Sequence, residues 1–175
     1  MSEEQHPYRI CFVCTGNICR SPMAEAVLRA ELAGAGLDGR VEVDSAGTGG
    51  WHAGEDADPR TVRVLARHGY PSRHTARRFE PADLRRRDLV IALDGGHLRT
   101  LRRWADAPGG SDGANPPAEL RLLREFDPAA GPGDRDVPDP YYGSLAGFEE
   151  CLAMVEAAMP DLLSHIGEAL ETRAG

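Results

Sequence analysis

Ten residues, VCTGNICRSP from Val13 to Pro22, hold two thiols, a permanent cation, a glycine and a Ser-Pro pair. Cys14 and Arg20 stand in a Cys-x5-Arg spacing, with Ser21 directly after the arginine. A free thiol has a pKa of about 8.5 and is mostly protonated at neutral pH. Backbone N–H groups around it, a helix N-terminus behind it and a guanidinium beside it all favour the thiolate, and the same groups suit a tetrahedral oxyanion. Gly16 and Asn17 tolerate left-handed backbone, which lets successive amides turn inward as a nest. Arg20 offers two parallel hydrogen bonds to two oxygens of one phosphate, a geometry that lysine lacks. Ser21 has a hydroxyl to give the sulfur, and Pro22 opens a helix whose positive end faces the anion. The loop formed by Thr15, Gly16, Asn17, Ile18 and Cys19 is therefore both an anion cradle and a nucleophile activator.

Such a loop works only if regular elements hold its two ends. YRICFVC (8–14) is a short apolar, β-rich run that predicts a buried strand. The residues from Ser21 to Gly36 predict a helix with Met23, Ala24, Val27, Leu28 and Leu32 on its apolar stripe. A second strand is expected over 40–48, a helix over 59–69, a short helix at 81–88, a third strand over 88–94 and a helix over 97–105. ELRLLREF (119–126) holds a candidate fourth strand. A terminal helix runs from Ser144 to Ala174, with Leu145, Phe148, Leu152, Val155, Met159, Leu162 and Ile166 on one face. Strands alternating with helices predict an α/β fold: an open, parallel, four-stranded sheet covered by helices on both faces. No internal repeat is present, and residues 1–175 are expected to form a single domain. Ligands of such sheets sit beyond the carboxyl ends of the strands, which is where Cys14 falls. Two stretches read as loops: the Gly- and Pro-rich 107–117, an exposed excursion, and 126–143, whose length suggests function.

Composition narrows the function classes. The chain is 41% hydrophobic and 27% charged, as in ordinary globular proteins. No apolar run approaches the roughly 20 residues of a membrane span. The opening MSEEQHPYRI is polar and acidic rather than a secretory signal, so a cytoplasmic location is expected, although export without a signal peptide would leave no mark. A net charge of −8 argues against nucleic acid or anionic membrane as partner. Twelve arginines between Arg60 and Arg103 face four acids, Glu80, Asp83, Asp88 and Asp94. That belt either holds an anion or forms solvated helix faces. All twenty basic residues are arginine, which excludes a Walker-type phosphate loop and lysine Schiff-base chemistry.

The remaining cysteines need an account. Cys11-x2-Cys14 resembles a metal or redox pair, but residues three apart on a strand face opposite sides, and no second CxxC or His pair completes a zinc site. Cys11 and Cys151 read as small buried core residues. Cys19 either packs or pairs with Cys14 under oxidation.

The chain resembles the low-molecular-weight protein tyrosine phosphatases of the bacterial type. The likeness runs through VCTGNICRSPMAE, DSAGTGGWH (44–52), HGYPSRHTAR (68–77), VIALD (90–94) and DPYYG (139–143). It implies the Rossmann-like fold of that family and a metal-independent enzyme without cofactor. Its substrates would be phosphotyrosine proteins, and it would act as a monomer or weak homodimer. Cys14 would be the nucleophile, Arg20 would stabilise the transition state and Asp139 would act as general acid and then base. From the residues alone, Asp134 and Asp136 in the same loop are equally available. Asn17 and Ser21 would order the loop, with Ser45, His74 and Asp94 supporting it from behind, while Trp51, Tyr141 and Tyr142 would wall the cleft around a phenyl ring. Gly95 and Gly96 depart from the family, which often has polar residues there. Arsenate reductases share the fold but resolve their intermediate with downstream cysteines, and here none lies between Cys19 and Cys151. Arginine phosphatases tend to carry threonine where this chain has Ile18. A non-enzymatic phosphopeptide binder would need neither Cys14 nor Asp139.

Overall fold

The computed structural model describes residues 6–107 and 116–174. The 107–117 excursion therefore lies almost wholly outside the described residues. Four strands, β1 (Tyr8–Cys14), β2 (Val41–Gly47), β3 (Leu89–Ala92) and β4 (Glu119–Leu122), form one parallel sheet in the order β2-β1-β3-β4. β1 pairs with neighbours on both sides, so it is buried on both faces and reads as a continuous apolar run. Its side chains alternate between two cores. Tyr8, Ile10, Phe12 and Cys14 face one, and Cys11 and Val13 face the other.

The first core is closed by α1 (Arg20–Gly34), α2 (Pro59–Arg67) and α4 (Leu145–Ala174). The second is closed by α3 (Gly95–Asp106) and a 3-10 turn at Pro81–Arg85. The short helix expected over 81–88 is this 3-10 turn, ending at Arg85. Asp83 accepts the Glu80 amide and tightens the segment into one short turn. In α2, Asp58 caps the Arg60 amide at 2.8 Å, and Pro59 occupies the first position, where no N–H is needed. Gly69 follows that helix at φ +80°, a conformation costly for other residues. α4 carries its expected apolar face, with Phe148, Leu152, Val155, Leu162 and Ile166 no more than 1% exposed. Pro160 lies on its solvent side and does not end it. The fourth strand is confined to 119–122 and passes directly into a second 3-10 turn at Leu123–Phe126.

Candidate active site

The C-terminal end of β1, the loop to α1 and the segment around Asp139 enclose a cleft of about 370 Å³. Cys14, Thr15, Gly16, Ile18, Cys19, Arg20, Trp51, Asp139, Tyr141 and Tyr142 line it, together with His52, which the sequence reading did not single out. Asn17, Ser21, Ser45, His74 and Asp94 stand behind.

Hydrogen bonds hold the loop open from outside. The carbonyls of Cys14 and Thr15 accept the Thr48 and Gly49 amides at 2.8 and 3.0 Å. Those of Ile18 and Cys19 accept the Asp58 amide and the Thr61 hydroxyl at 2.8 and 3.3 Å. The Asn17 carbonyl accepts His74 Nε2 at 2.6 Å. Because a trans peptide points its N–H opposite its C=O, the amides of residues 15, 16, 18, 19 and 20 turn the other way, toward the cleft. Of the two residues expected to allow left-handed backbone, Asn17 alone adopts it, at φ 59°. A Cβ on Gly16 would lie 2.9 Å from His52 Cδ2, so the imidazole would have to move aside. Gly47, at the end of β2, is required for space, since its Cβ would fall 2.6 Å from the Thr15 carbonyl oxygen.

The Asn17 side chain organises the interior and is fully buried. Its Oδ1 takes the Arg77 amide at 2.9 Å, and this backbone donor fixes which way the amide group points. Nδ2 then donates to Ser21 Oγ and to Ser45 Oγ, each at 2.9 Å. Ser45 passes its own hydrogen to Glu25 Oε1 at 2.7 Å, and Glu25 is ion-paired with Arg29. Asn17 Nδ2 occupies one Ser21 lone pair, and the Ser21 hydroxyl lies 2.9 Å from Cys14 Sγ, where it can donate to a thiolate. Glu25 is a functional residue that sequence reading missed, although it stands one helical turn after Ser21 in SPMAE.

Arg20 is only 3% exposed. Its Nη1 donates to Asp94 Oδ2 and to the Val137 carbonyl, both at 2.9 Å, and its Nη2 approaches Asp139 Oδ2 at 3.6 Å. Burial opposes the charge on Arg20, but Cys14, Asp139 and Asp94 outweigh it and raise its pKa. Burial likewise opposes ionised Asp94, yet the His97 amide, the His97 ring and Arg20 hold its carboxyl below the usual range. The three candidate acids of the 126–143 loop, Asp134, Asp136 and Asp139, separate clearly. Asp134 pairs with Arg124 at 3.1 Å, Asp136 accepts the Gly95 amide at 2.8 Å, and only Asp139 of the three lines the cleft.

The aromatic wall is open to solvent: Trp51 is 75% and Tyr142 91% exposed, with Tyr142 packed edge-on against Tyr141. Arg60 holds this wall from below. Its Nη2 and Nη1 donate to the Tyr141 and Gly143 carbonyls at 2.9 and 3.0 Å, its guanidinium lies 4.3 Å from the Phe148 ring, and Asp58 anchors it. Elsewhere in the arginine belt, Arg77 and Arg87 pair with Asp44, Arg86 with Asp83 and Arg67 with Glu149. A larger open groove of about 750 Å³ beside Arg29 and Arg87 has no nucleophile in its lining.

All four cysteines are free thiols. Burial pushes Cys151 up to about 12 and Cys11 well above the ordinary thiol range. Burial also raises Cys19, with the Asp58 charge adding to it.

A parallel α/β sheet with a thiol and a buried guanidinium in one strand-to-helix loop defines a class of anion-binding cysteine proteins. The model of the low molecular weight phosphotyrosine protein phosphatase family matches residues 9–172, and the chain belongs to that family. It is 62% identical to a low molecular weight protein-tyrosine-phosphatase of Streptomyces coelicolor, over 95% of this chain and 98% of that one. The crystal structure of YfkJ from Bacillus subtilis superposes with a TM-score of 0.81 at 34% identity, covering 95% of this chain and 99% of the other. A Drosophila arginine phosphatase superposes with a TM-score of 0.80 at 29% identity, covering 90% and 96%. No helix among the described residues is long and apolar enough to cross a membrane.

Proposed function

We propose that this phosphatase hydrolyses phosphotyrosine in proteins through a cysteinyl-phosphate. Cys14 Sγ attacks phosphorus; the S–P bond forms as the P–O bond to the tyrosyl oxygen breaks. Asp139 gives that oxygen its proton. The Asp139 carboxylate then takes a proton from water, whose oxygen attacks phosphorus and releases inorganic phosphate and the sulfur. Throughout, Arg20 and the loop amides bear the charge on the equatorial oxygens. One observation carries this reading: Cys14, Arg20 and Asp139 line a single cleft, with a Ser21 hydroxyl 2.9 Å from the sulfur.

Phosphotyrosine is favoured over phosphoarginine because Ile18 presents an apolar side chain to the cleft and Tyr141 and Tyr142 offer ring faces, both suited to a phenyl group. The test compares turnover of phosphotyrosine, phosphoserine and phosphoarginine peptides by the wild type and by Cys14→Ser. The expected result is hydrolysis of phosphotyrosine alone, and only by the wild type. Preferential release from phosphoarginine would overturn the substrate assignment, and an active Cys14→Ser protein would overturn the mechanism.

A further inference from the structure

Gly95 and Gly96 give the phosphate loop no side chain to lean on, and support from that side arrives one residue later. His97 is 6% exposed and stands in the first turn of α3, its amide capped by Asp94 Oδ1 at 3.0 Å. This cap fixes the start of the ring's path back over the loop. His97 Nε2 lies 2.8 Å from Thr15 Oγ1, and Nδ1 lies 3.1 Å from Asp94 Oδ1. Thr15 Oγ1 also receives Arg20 Nη2 at 3.4 Å, while Arg20 Nη1 donates to Asp94 Oδ2 at 2.9 Å. The four side chains thus close a ring: Arg20, Asp94, His97, Thr15 and back to Arg20.

The directions of the hydrogen bonds in this ring are set by its members. A guanidinium only donates and a carboxylate only accepts, so the imidazole proton belongs on Nδ1, facing Asp94, and Nε2 accepts the Thr15 hydroxyl hydrogen. That leaves a Thr15 lone pair aimed at Arg20. The Nδ1 contact with Asp94 Oδ1 is electrostatic, since at 3.1 Å it lacks the alignment of a hydrogen bond. Burial keeps the ring neutral, lowering its pKa to about 4 against the pull of Asp94, which suits an acceptor nitrogen.

We propose that His97 is a positioning residue for Arg20, setting through Thr15 and Asp94 the plane in which the guanidinium meets the transferring phosphoryl group. The inference rests on the phosphatase reading above. Bidentate contacts depend on the plane of the fork, and a small misplacement of a clamping group costs rate even when binding survives. Without the imidazole, the Thr15 hydroxyl loses the acceptor that aims its lone pair, and Arg20 is free to swing about its bond to Asp94.

The experiment measures p-nitrophenyl phosphate turnover and vanadate inhibition for the wild type, His97→Ala, His97→Asn, His97→Gln, Thr15→Val and the Ala/Val double variant. His97→Ala should lower kcat about tenfold while KM moves less than about threefold, and vanadate should weaken by the same factor as kcat/KM. His97→Gln, which places an acceptor near the Nε2 position, should recover most of kcat. His97→Asn, which stops short of Thr15, should not. The double variant should be no worse than the poorer single, as for residues that act as one unit. An unchanged kcat in His97→Ala, equal kcat in the Gln and Asn variants, or singles that multiply in the double would overturn the inference. If His97→Ala fails to fold by thermal melting, the Gln and Asn pair decides alone. A wild type that leaves the aryl phosphate intact would overturn the phosphatase reading, and this inference with it.

Discussion

Residues 15–19 and the segment around residues 127–144 converge on Arg20 from opposite sides, and they are built by opposite means. In the first, Asn17 is fully buried, Cys19 and Ile18 nearly so, and four of the five carbonyls between Cys14 and Ile18 are bonded outward. In the second, Asp139 has a side chain 43% exposed and Tyr142 stands almost free in solvent. Its anchors are the Val137 amide on the Leu93 carbonyl at 2.8 Å, the Gly95 amide on Asp136, Arg124 on Asp134 and the Asp136 carbonyl, Arg20 on the Val137 carbonyl, and Arg60 on the carbonyls of Tyr141 and Gly143. Cys14, the proposed nucleophile, is thus held in a buried frame, whereas Asp139, the proposed acid, hangs half-exposed on a segment that Arg20, Arg60 and Arg124 tie to the rest of the fold.

Breaking each side should have graded effects. Cys14→Ser removes the sulfur from an otherwise intact cradle and should lower aryl phosphate turnover by at least about 10³-fold, with phosphate still bound; steady-state kinetics and a phosphate titration measure the two separately. Asp139→Ala should cost roughly 10² to 10⁴-fold, the loss shrinking as the leaving phenol becomes more acidic. An equal loss across a series of substituted phenyl phosphates would mean that Asp139 is not the proton donor. Arg60→Leu tests the hanger alone: by loosening the segment it should lower kcat about tenfold while leaving vanadate affinity within about twofold. If vanadate binding falls as far as kcat does, the two loops are one unit and the contrast drawn above is wrong.

A further test uses pH. His97 takes up its proton near pH 4 in the folded protein and at its ordinary 6.5 when unfolded. Its contribution to stability is therefore complete above 6.5 and lost as the pH falls toward 4, by on the order of 3 kcal/mol. The lowered carboxyl of Asp94 acts in the same direction at lower pH. Denaturant midpoints followed from pH 7 to 4 should fall steeply in the wild type and less steeply in His97→Gln. The smallest expected effect is none at all: with Arg20 and the loop amides bearing the charge, EDTA should leave turnover unchanged, and inhibition by the chelator would bring a metal back into the mechanism.

Much of the rigid side was legible in the sequence, because its parts are contiguous. Cys14 through Pro22 carry nucleophile, cradle, cation and helix start within ten residues, and the alternation of β1 shows that Cys11 and Cys14 face different cores. The other side was harder to read. Asp139 could be separated from Asp134 and Asp136 only by likeness to DPYYG, since all three lie in one Pro-flanked loop; what distinguishes them is their partners, Arg124 just before the loop and the Gly95 amide 41 residues from Asp136. Glu25, Arg60 and His97 escaped for a related reason. Each sits in a helix, where an isolated acid, arginine or histidine reads as a solvated face, and only the packing of that helix against the loop turns it inward. The bounds of β4 were not legible either: its half-exposed pattern gives no clear alternation, and the chain turns into a 3-10 helix directly after Leu122.

The amide group of Asn17 gives the interior of the site a polarity. The Arg77 amide gives its hydrogen to Asn17 and Asn17 gives one to Ser21, whose hydroxyl lies 2.9 Å from the sulfur and donates to it when the sulfur is ionised. An aspartate in that place would match the shape but set oxygen against oxygen at both serines, and the shortest repair is to turn the Ser21 hydroxyl around so that it asks for a hydrogen from Cys14. One atom, nitrogen in place of oxygen, thus sets which way the Ser21 hydroxyl is asked to face.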